Sequence, residues 1–445
     1  MTQLLRRTDF GPDFVWGTAT AAFQIEGATQ TDGRGPSIWD TFSQKKGAIK
    51  TRETAHTACD FYARYATDIA LNKAMGFTAF RFSISWSRVL PLGTGAVNEA
   101  GLAFYDRVID ECIRQGQTPW VTLFHWDLPQ ALEDRGGWVN REVLTWFDAY
   151  TTLIVKVFGH KVKHWFVLNE PSAFTILGYL VGMHAPGRRS LTSAAAVIHH
   201  AALAQANGGR LIRQYVPGAV VGTTFSCSPV EAVSPAKRDV MAAQRANALL
   251  NRLFVEPALG LGYPVAELTF LKNVAKPGDM ERLAFDFDLI GLQHYFRVVV
   301  EHSLIVPYLW GRDVPPNRRN VAAITEMGWE VHPQSMLQII RQFSLYDGPH
   351  RLVVAESGAA FYDQVEHGRV HDTARTAYHV QCLQQVRAAQ AEGIDIAGYF
   401  VWTLLDNFEW AEGFRPRFGL VHVDHRTQHR IIKESGLWFR QFLGA

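Results

Sequence analysis

Eight short apolar segments recur along the chain and limit the folds that it can adopt. None of them has an internal proline or the polar–apolar alternation of a strand with one side in water. Continuous apolar runs of this length are typical of strands buried on both faces, as in a parallel sheet. The segments are Phe14–Thr20, Thr78–Ile84, Pro119–Phe124, His164–Leu168, Ala219–Phe225, Asp288–Gln293, Arg351–Ala355 and Ala397–Trp402.

A segment with helical periodicity follows each apolar run. Between Glu99 and Gln115, apolar side chains recur at three- and four-residue spacing, which is one face of a helix. The other predicted helices are Asp60–Met75, Arg141–Phe158, Ser193–Tyr215, Lys237–Phe254, Pro333–Phe343, Thr373–Ala391 and Ile432–Phe442. Eight strand–helix units predict an α/β fold, a single (β/α)8 TIM barrel domain over residues 1–445. A doubly wound open sheet is the alternative, but no glycine-rich phosphate turn follows the first run.

Two long segments without helical periodicity interrupt this pattern. They are Tyr295–His332 after the sixth run and Thr403–Arg430 after the eighth. In a barrel, loops that follow strands lie on the catalytic face. Loops of this length inside a compact domain are usually functional.

The composition excludes several classes of partner. The 445 residues are 47% hydrophobic with a net charge of +2, and no charged block favours nucleic acid or an anionic membrane. No apolar stretch predicts a signal peptide or a membrane span. The cysteines lack metal-ligand or redox-motif spacing, so we expect buried thiols of a cytoplasmic protein. They are Cys59, Cys112, Cys227 and Cys382.

Aromatic residues make up 12% of the chain and include 13 tryptophans. Core packing accounts for most of them, but many lie at predicted strand ends and in loops. Because aromatic faces pack well on the C–H faces of sugar rings, a carbohydrate is a candidate ligand.

The predicted strand ends carry polar and aromatic side chains that would meet in one pocket of a barrel. In chain order they are Arg81, His125, Trp126, Asn169, Glu170, Gln293, His294, Tyr295, Glu356, Trp402, Glu409 and Trp410.

Glu170 and Glu356 follow the fourth and seventh runs, which face each other across an eight-stranded barrel. Glycoside cleavage needs such a pair, because one carboxylic acid protonates the leaving oxygen and one carboxylate attacks the anomeric carbon or activates water. Either glutamate alone could instead pair with a cation or cap a helix. Together, in Asn-Glu-Pro and Glu-x-Gly contexts, they predict a catalytic pair.

Each of three neighbouring side chains has two possible roles. Arg81 could orient a carboxylate and lower its pKa, or form a structural ion pair. Tyr295 could hold Glu356 by a hydrogen bond, or fill the core. His125 could contact a sugar hydroxyl, or be a core histidine. The 17 histidines form no metal-ligand motif, and the lack of a GxSxG elbow disfavours a serine hydrolase.

At this point the sequence resembles glycoside hydrolase family 1, the β-glucosidase family. The similarity covers essentially the whole chain, and the motifs follow the family's order. They are FVWGTATAAFQIEG, RFSISWSR, FHWDLPQALEDRGGW, NEP followed by GYLVGMHAPG, MGWEVHP, DNFEWAEGF and RFGLVHVD.

The resemblance implies a role for each matching position. Glu170 would be the general acid/base and Glu356 the nucleophile. Trp329 would form one wall of the aglycone site, and no metal or cofactor would be needed. Around the non-reducing sugar it places Gln24, His125, Trp126, Asn169, Trp402, Glu409, Trp410 and Phe418, with Glu409 at the hydroxyls of carbons four and six.

The chain departs from the family pattern at three places. Val167 replaces the usual threonine before the acid/base glutamate, and Ala355 and Ser357 replace threonine and asparagine around the nucleophile. Gln293-His294 replaces Asn-Tyr after the sixth strand. Neither catalytic carboxylate is lost. We expect these departures to alter the hydrogen bonds behind the site, and with them the acid/base pKa and the aglycone preference.

The phospho-glycosidase branch of the family usually carries a Ser and Lys/Tyr phosphate clamp where this chain reads EWAEGFRPRF. Glu409 and Trp410 are kept here. The segment therefore predicts unphosphorylated sugars, although Arg415 and Arg417 are cations close in sequence.

These residues predict a double displacement with retained configuration, and carboxyl groups about 5–5.5 Å apart. The expected partners are small β-glycosides such as cellobiose, cello-oligosaccharides and aryl or alkyl β-glucosides. Transglycosylation and a non-catalytic sugar-binding role on the same fold are the alternatives. The sequence does not specify the preferred sugar, the tolerance to glucose or the oligomeric state.

Overall fold

A closed barrel of eight parallel strands forms the centre of the molecule in the computed structural model, which describes residues 5–306, 308–348 and 350–445. Each strand pairs with its neighbours in the chain, and the last closes on the first. The strands are β1 (Val15–Ala19), β2 (Ala79–Ser83), β3 (Thr118–Phe124), β4 (His164–Asn169), β5 (Val220–Ser226), β6 (Leu289–Gln293), β7 (Arg351–Ser357) and β8 (Ile396–Trp402).

The barrel confirms the fold that the apolar runs predict. Predicted and observed strands differ by no more than two residues at either end. Large aromatic side chains fill the interior, and glycines on neighbouring strands make room for them. A Cβ on Gly17 would lie 2.4 Å from the ring of Phe400, and one on Gly222 would lie 2.7 Å from the ring of Phe166. The barrel is therefore a packed core rather than a pore.

One helix from each of the eight predicted helical segments is present. They are α1 (Phe61–Ala74), α2 (Glu99–Arg114), α3 (Val143–Phe158), α4 (Leu191–Tyr215), α5 (Lys237–Asn247), α6 (Ser335–Phe343), α7 (Thr373–Ala391) and α8 (Glu434–Leu443).

The fifth helix differs from its prediction in length and in what it covers. It ends at Asn247, where a π-helical segment, Ala248–Arg252, begins. Its buried alanines, Ala242 and Ala243, pack with Val300 of the loop after β6 instead of joining the main core. Because these side chains are small, α5 lies close to a separate sheet that includes Val298 and Val300. This sheet covers the apolar face of the helix that the periodicity predicted.

The loops on the carboxyl side of the barrel carry short elements of their own. The insert after β6 contains the strands Val298–His302 and Gly311–Asp313, which join Val230–Ala232 in a three-stranded sheet. The insert after β8 contains a hairpin of Val421–Asp424 and His429–Ile432. Both were expected to be non-helical, and apart from single 3-10 turns they are.

Two further long loops were not singled out from the sequence. The connection after β1 contains the helix Ile38–Ser43, and the one after β4 contains Pro171–Thr175 and a π-helical segment, Ile176–Val181. Their apolar residues follow no long periodic pattern, so a window search of the sequence passes over them.

The cysteines agree with their prediction, because all four are buried and unbridged. Within the described ranges, no helix combines the length and the apolar character needed to cross a membrane.

Candidate active site

A cavity of about 660 Å³ opens at the carboxyl ends of the barrel strands. Ten of the predicted site residues line it: His125, Trp126, Glu170, Tyr295, Trp329, Glu356, Trp402, Glu409, Trp410 and Phe418. The other three, Gln24, Arg81 and Asn169, are fully buried and contact residues of the wall. Among the residues that the structure describes, no cluster of histidine, cysteine and carboxylate ligands is arranged to hold a metal ion.

Glu356 lies near the end of β7, where the register against β6 shifts after Val354. A β-bulge re-aims the side chains that follow it, and Glu356 faces the cavity. Its Oε1 accepts a hydrogen bond from Arg81 Nη1 at 2.6 Å, and its Oε2 accepts one from the Tyr295 hydroxyl at 2.6 Å. Both oxygens are therefore fixed in orientation.

Arg81 is fully buried on β2, and its guanidinium joins three other strands. Nε donates to Thr122 Oγ1 at 3.2 Å, Nη1 donates also to the Ala355 carbonyl at 3.2 Å, and Nη2 donates to Asn169 Oδ1 at 2.5 Å. Together with the contact to Glu356, these bonds use all three nitrogens. The ion pair with Glu356 is present, and the role of Arg81 as an orienting cation stays a prediction.

Burial raises the pKa of both carboxyl groups, but their neighbours act in opposite directions. For Glu356, the Arg81 charge and the hydrogen bonds from Tyr295 and Arg81 oppose the effect of burial. For Glu170, the negative charge of Glu356 adds to burial, and the pKa lies well above its usual range. Arg81 does lower the pKa of its partner, as expected, although burial outweighs it. A single proton held by the pair therefore resides on Glu170.

Glu170 has a left-handed backbone conformation, with φ 45° and ψ 63°, at the junction of β4 and the helix Pro171–Thr175. Such angles are uncommon outside glycine, and strained residues cluster at functional sites. The Glu170 N–H donates to the Thr224 carbonyl of β5 at 3.0 Å, which stabilises the turn. Pro171 occupies the first position of the helix, where its fixed φ suits the geometry.

Asn169 connects the acid/base side of the site to its surroundings. Besides Arg81, its Oδ1 accepts from Gln293 Nε2 at 2.7 Å and Thr224 Oγ1 at 3.2 Å. Its Nδ2 lies 2.9 Å from His125 Nε2. Burial, with the Arg81 charge, holds the pKa of His125 well below its usual range, so the ring is neutral. Its Nε2 then accepts from Asn169, and Nδ1–H has no acceptor among the described residues.

Tryptophan rings form an aromatic wall next to His125. The rings of Trp126 and Trp410 lie 4.6 Å apart at 33°. The His125 ring lies 6.1 Å from Trp402 and 5.9 Å from Trp410. Trp126 Nε1 donates to the Asn169 carbonyl at 2.9 Å, which fixes the indole plane. This wall offers apolar faces beside hydrogen-bonding groups, as a sugar ring requires.

Glu409 lies on the loop after β8 and lines the same end of the cavity. Burial raises its pKa to about 8, and the charge of Glu356 contributes. Gln24 Nε2 donates to the Phe408 carbonyl at 2.9 Å and lies 3.5 Å from Glu409 Oε2. At neutral pH the Glu409 carboxyl is mostly protonated, so it can donate one hydrogen bond and accept others.

Trp329 lies on a hairpin formed by residues 323–331, which we call the tryptophan hairpin. Its ring stacks on Phe296 at 4.7 Å and 26°. The next residue, Glu330, is 5% exposed and accepts two hydrogen bonds from Arg297, at 3.0 and 2.9 Å, and one from Arg319 at 2.6 Å. The Trp329 indole is thus held by Phe296, which stacks on its ring, and by the arginine contacts of the adjacent Glu330.

Three residues at the ends of β4 and β6 depart from the family pattern: Val167, Gln293 and His294. Of these, Gln293 hydrogen-bonds to a predicted site residue, Asn169. Val167 points away from the cavity towards α4, because a Cβ on Gly208 would lie 2.5 Å from its Cγ1. His294 Nε2 lies 2.7 Å from Ser335 Oγ at the start of α6, outside the cavity. The expected effect on the site is therefore confined here to Gln293.

The departures on either side of Glu356 leave the contacts of its carboxylate unchanged. Ala355 contributes its backbone carbonyl to Arg81, which any residue could supply. Ser357 is buried, with its hydroxyl 3.4 Å from the Tyr378 hydroxyl of α7. Neither side chain lines the cavity.

The sequence analysis missed several lining residues. Ser226, the last residue of β5, lines the cavity, and its hydroxyl lowers the pKa of Glu170. A polar residue that ends an apolar run was a detectable signal. Leu177, Met183 and His184, on the loop after β4, also line the cavity, but nothing in their residue types distinguishes them from core positions.

The model of Glycosyl hydrolase family 1 matches residues 6–445. "Beta-glucosidase A" of Thermotoga maritima is 41% identical over 438 residues, 97% of this chain and 96% of the relative. The "1,4-beta-D-glucan glucohydrolase" of Thermotoga neapolitana is 41% identical over 435 residues, 97% of each chain.

The solved structures show the same similarity in three dimensions. The structure titled "Beta-glucosidase from Thermotoga maritima in complex with deoxynojirimycin" superposes with a TM-score of 0.94 at 40% identity, and the match covers 98% of both chains. The closed eight-stranded barrel agrees with these matches. This chain belongs to glycosyl hydrolase family 1.

Proposed function

We propose that the chain is a retaining β-glucosidase in which Glu356 is the nucleophile and Glu170 the general acid/base. The chain is a glycoside hydrolase of a family that retains configuration. The observation that assigns the two roles is the difference between the carboxyl groups. Glu356 is paired with Arg81 and Tyr295, whereas no cation of the described residues forms an ion pair with Glu170, which faces the charge of Glu356.

In the first step Glu356 attacks the anomeric carbon while Glu170 donates its proton to the glycosidic oxygen. The aglycone leaves, and the sugar is esterified to Glu356. Because the negative charge of Glu356 is then gone, the pKa of Glu170 falls and it can act as a base. In the second step Glu170 takes a proton from water, which attacks the anomeric carbon and releases the sugar with retained configuration.

The proposed sugar site is the aromatic end of the cavity. His125, with its unpartnered ring N–H, and Glu409, a donor and acceptor, would bind hydroxyls while Trp410 packs on the ring. Gln24, Asn169, Trp126, Trp402 and Phe418 would complete this site. Trp329 would form the aglycone wall. The substrates would be cellobiose, other cello-oligosaccharides and aryl or alkyl β-glucosides, as the names of the relatives suggest.

The nearby arginines support unphosphorylated sugars. Arg417 donates to Asp406 and to the Val423 carbonyl, and Arg415 pairs with Glu412 at 3.2 Å. Both cations are therefore already occupied by protein groups. We also propose that the chain is one catalytic domain, since one barrel holds the whole site, and that it works in the cytoplasm, where free thiols persist.

The decisive experiment is nitrophenol release from aryl β-glucoside and β-galactoside by wild type, Glu356→Ala and Glu170→Ala. Each alanine variant should lose activity by about 100-fold or more. With azide, Glu356→Ala should form the α-glucosyl azide and Glu170→Ala the β-glucosyl azide, because azide replaces the nucleophile in one and water in the other. The ratio of the wild-type kcat/KM values for the glucoside and the galactoside shows which sugar is preferred.

Glu412→Gln is the matched control, since Glu412 lines the cavity but is paired with Lys50 at 2.6 Å. It should keep most of the activity. Added alcohol measures transglycosylation in the same assay. If wild type binds glucosides but turns over none of them, the enzyme proposal is wrong. A carboxyl separation in the inverting range, about 6.5–9.5 Å in a crystal structure, would rule out the double displacement.

A further inference from the structure

Two cations line the cavity, Lys50 and Arg189. Lys50 pairs with Glu412 at 2.6 Å, and the nearby Arg81 pairs with Glu356. Burial raises the pKa of Glu409 to about 8 and that of Glu170 well above its usual range, which favours the neutral form of both. Arg189 is exposed and has no carboxylate partner among the residues that the structure describes. It is therefore the cation of this lining that is left to pair with a ligand.

Arg189 belongs to the loop after β4, a few residues beyond the π-helical segment Ile176–Val181. Its stem packs against Gly182, because a Cβ on that glycine would lie 2.7 Å from Arg189 Cγ and 3.0 Å from its Nε. Gly182 also has a φ of 74°, which favours glycine. The adjacent Arg188 is different, since its Nε donates to Glu133 at 2.7 Å. One of two neighbouring arginines is thus structural, and the other turns to the cavity.

The same cavity also has an apolar lining. Leu177, Met183, Phe296, Met327 and Trp329 belong to it, and we call the part of the cavity that they line the apolar slot. These side chains suit an aromatic group, and a guanidinium suits a carboxylate, which it can bind through two parallel hydrogen bonds. An apolar slot and one unpaired cation in the same cavity therefore match an aromatic acid better than a neutral sugar.

We propose that Arg189 makes this site selective for β-glucosides whose aromatic aglycone carries a carboxylate. The inference rests on the proposed function and names its substrate class. In such a complex the glucosyl unit would occupy the aromatic end of the cavity. The aglycone ring would lie in the apolar slot, and its carboxylate would reach the Arg189 guanidinium.

The test compares two substrates, 4-carboxyphenyl β-glucoside and its methyl ester, in wild type and Arg189→Gln. We compare the kcat/KM for the carboxylate divided by the kcat/KM for the methyl ester. The two leaving groups differ in reactivity, but this difference is the same in every enzyme variant and cancels when the ratios are compared. The ratio should fall by about three- to tenfold in Arg189→Gln, the range of a partly exposed charge-assisted hydrogen bond. Arg189→Lys should keep part of it, because a lysine retains the charge without the two-pronged geometry.

Arg107→Gln is the control for net charge, since Arg107 is exposed on α2 and does not line the cavity. Its ratio should equal that of wild type. Raising the salt concentration should lower the ratio in wild type and leave it unchanged in Arg189→Gln, because a solvent-accessible ion pair is screened. Equal ratios in wild type and Arg189→Gln would overturn the proposal. So would a loss in Arg189→Gln that is as large for cellotriose as for the carboxylate.

Turnover of 4-nitrophenyl β-glucoside separates this inference from the proposed function. Wild type and Arg189→Gln should both hydrolyse it at similar rates. If they do and the ratios are equal, the carboxylate inference fails while the β-glucosidase proposal stands. If wild type does not hydrolyse it, the proposed function fails first.

Discussion

Replacing Arg81 by methionine should move the pH–rate profile of kcat/KM towards alkaline pH. Arg81 and Glu356 form an ion pair in which the side chains are 0% and 4% exposed. Removing one partner of a buried pair costs about 3–5 kcal/mol if the other remains charged. Protonating Glu356 avoids that cost, and each pKa unit corresponds to about 1.4 kcal/mol. We therefore expect the acid limb to move up by about 2 pH units or more.

The sign follows from which form reacts. The nucleophile works as the carboxylate, so kcat/KM rises with pH through the pKa of Glu356, and a higher pKa delays that rise. Arg81 also lowers the pKa of Glu170, so the alkaline limb should move in the same direction, but less because Arg81 makes no hydrogen bond to Glu170. Near pH 7 the variant should have lost most of its activity and should recover part of it at higher pH.

The assay is hydrolysis of an aryl β-glucoside from pH 5 to 10, with thermal unfolding measured alongside. Arg88→Met is the control, because Arg88 and Glu26 form a pair with side chains 1% and 5% exposed that does not line the cavity. It should lower stability without moving the acid limb. An acid limb that stays in place in a folded Arg81→Met enzyme would refute the argument that Arg81 sets the ionisation of the nucleophile.

Three other changes test the support around the carboxylates. Tyr295→Phe removes a 2.6 Å hydrogen bond to the nucleophile and should reduce kcat/KM about 10-fold or more and raise the acid limb; an unchanged profile would contradict this. Gln293→Met removes the hydrogen bond that Gln293 donates to Asn169 and should reduce kcat/KM about 2- to 10-fold. An unchanged kcat/KM would mean that this hydrogen bond does not affect the reaction. Glu330→Gln weakens the contacts from Arg297 and Arg319 that hold the tryptophan hairpin, and it should raise KM for aryl glucosides more than for methyl glucoside. Glu301→Gln is the control, because it also loses two arginine contacts but should leave both KM values unchanged.

Several features of this molecule were predictable because they depend on local chemistry and on the symmetry of the barrel. A strand buried on both faces must be apolar throughout, so the runs marked the strands almost to the residue. All eight strands end on one face, so polar residues at those ends had to converge. The positions of Glu170, Glu356 and Arg81 follow from these two rules, and all three lie at or beside the cavity.

Other features depend on contacts between distant loops, which no local pattern records. The periodicity of the fifth helix was detected, but its partner, a small sheet built from three separate segments, was not. Ser226 ended an apolar run and could have been listed with the other strand ends. Arg189 is one arginine of a neighbouring pair, and only the position of Glu133 shows which of the two is already paired.

The two carboxyl groups of the proposed catalytic pair show how neighbours can give identical residues different properties in one cavity. Both are buried, so burial alone would give them similar pKa values. The difference comes from β2 and the loop after β6, which bring Arg81 and Tyr295 to one carboxyl, whereas the other lies beside the Ser226 hydroxyl. The roles are therefore set by neighbouring strands rather than by the glutamates themselves. Moving the cation from one carboxyl to the other would exchange the preferred site of the proton, while the position of each carboxyl relative to the anomeric carbon would stay the same.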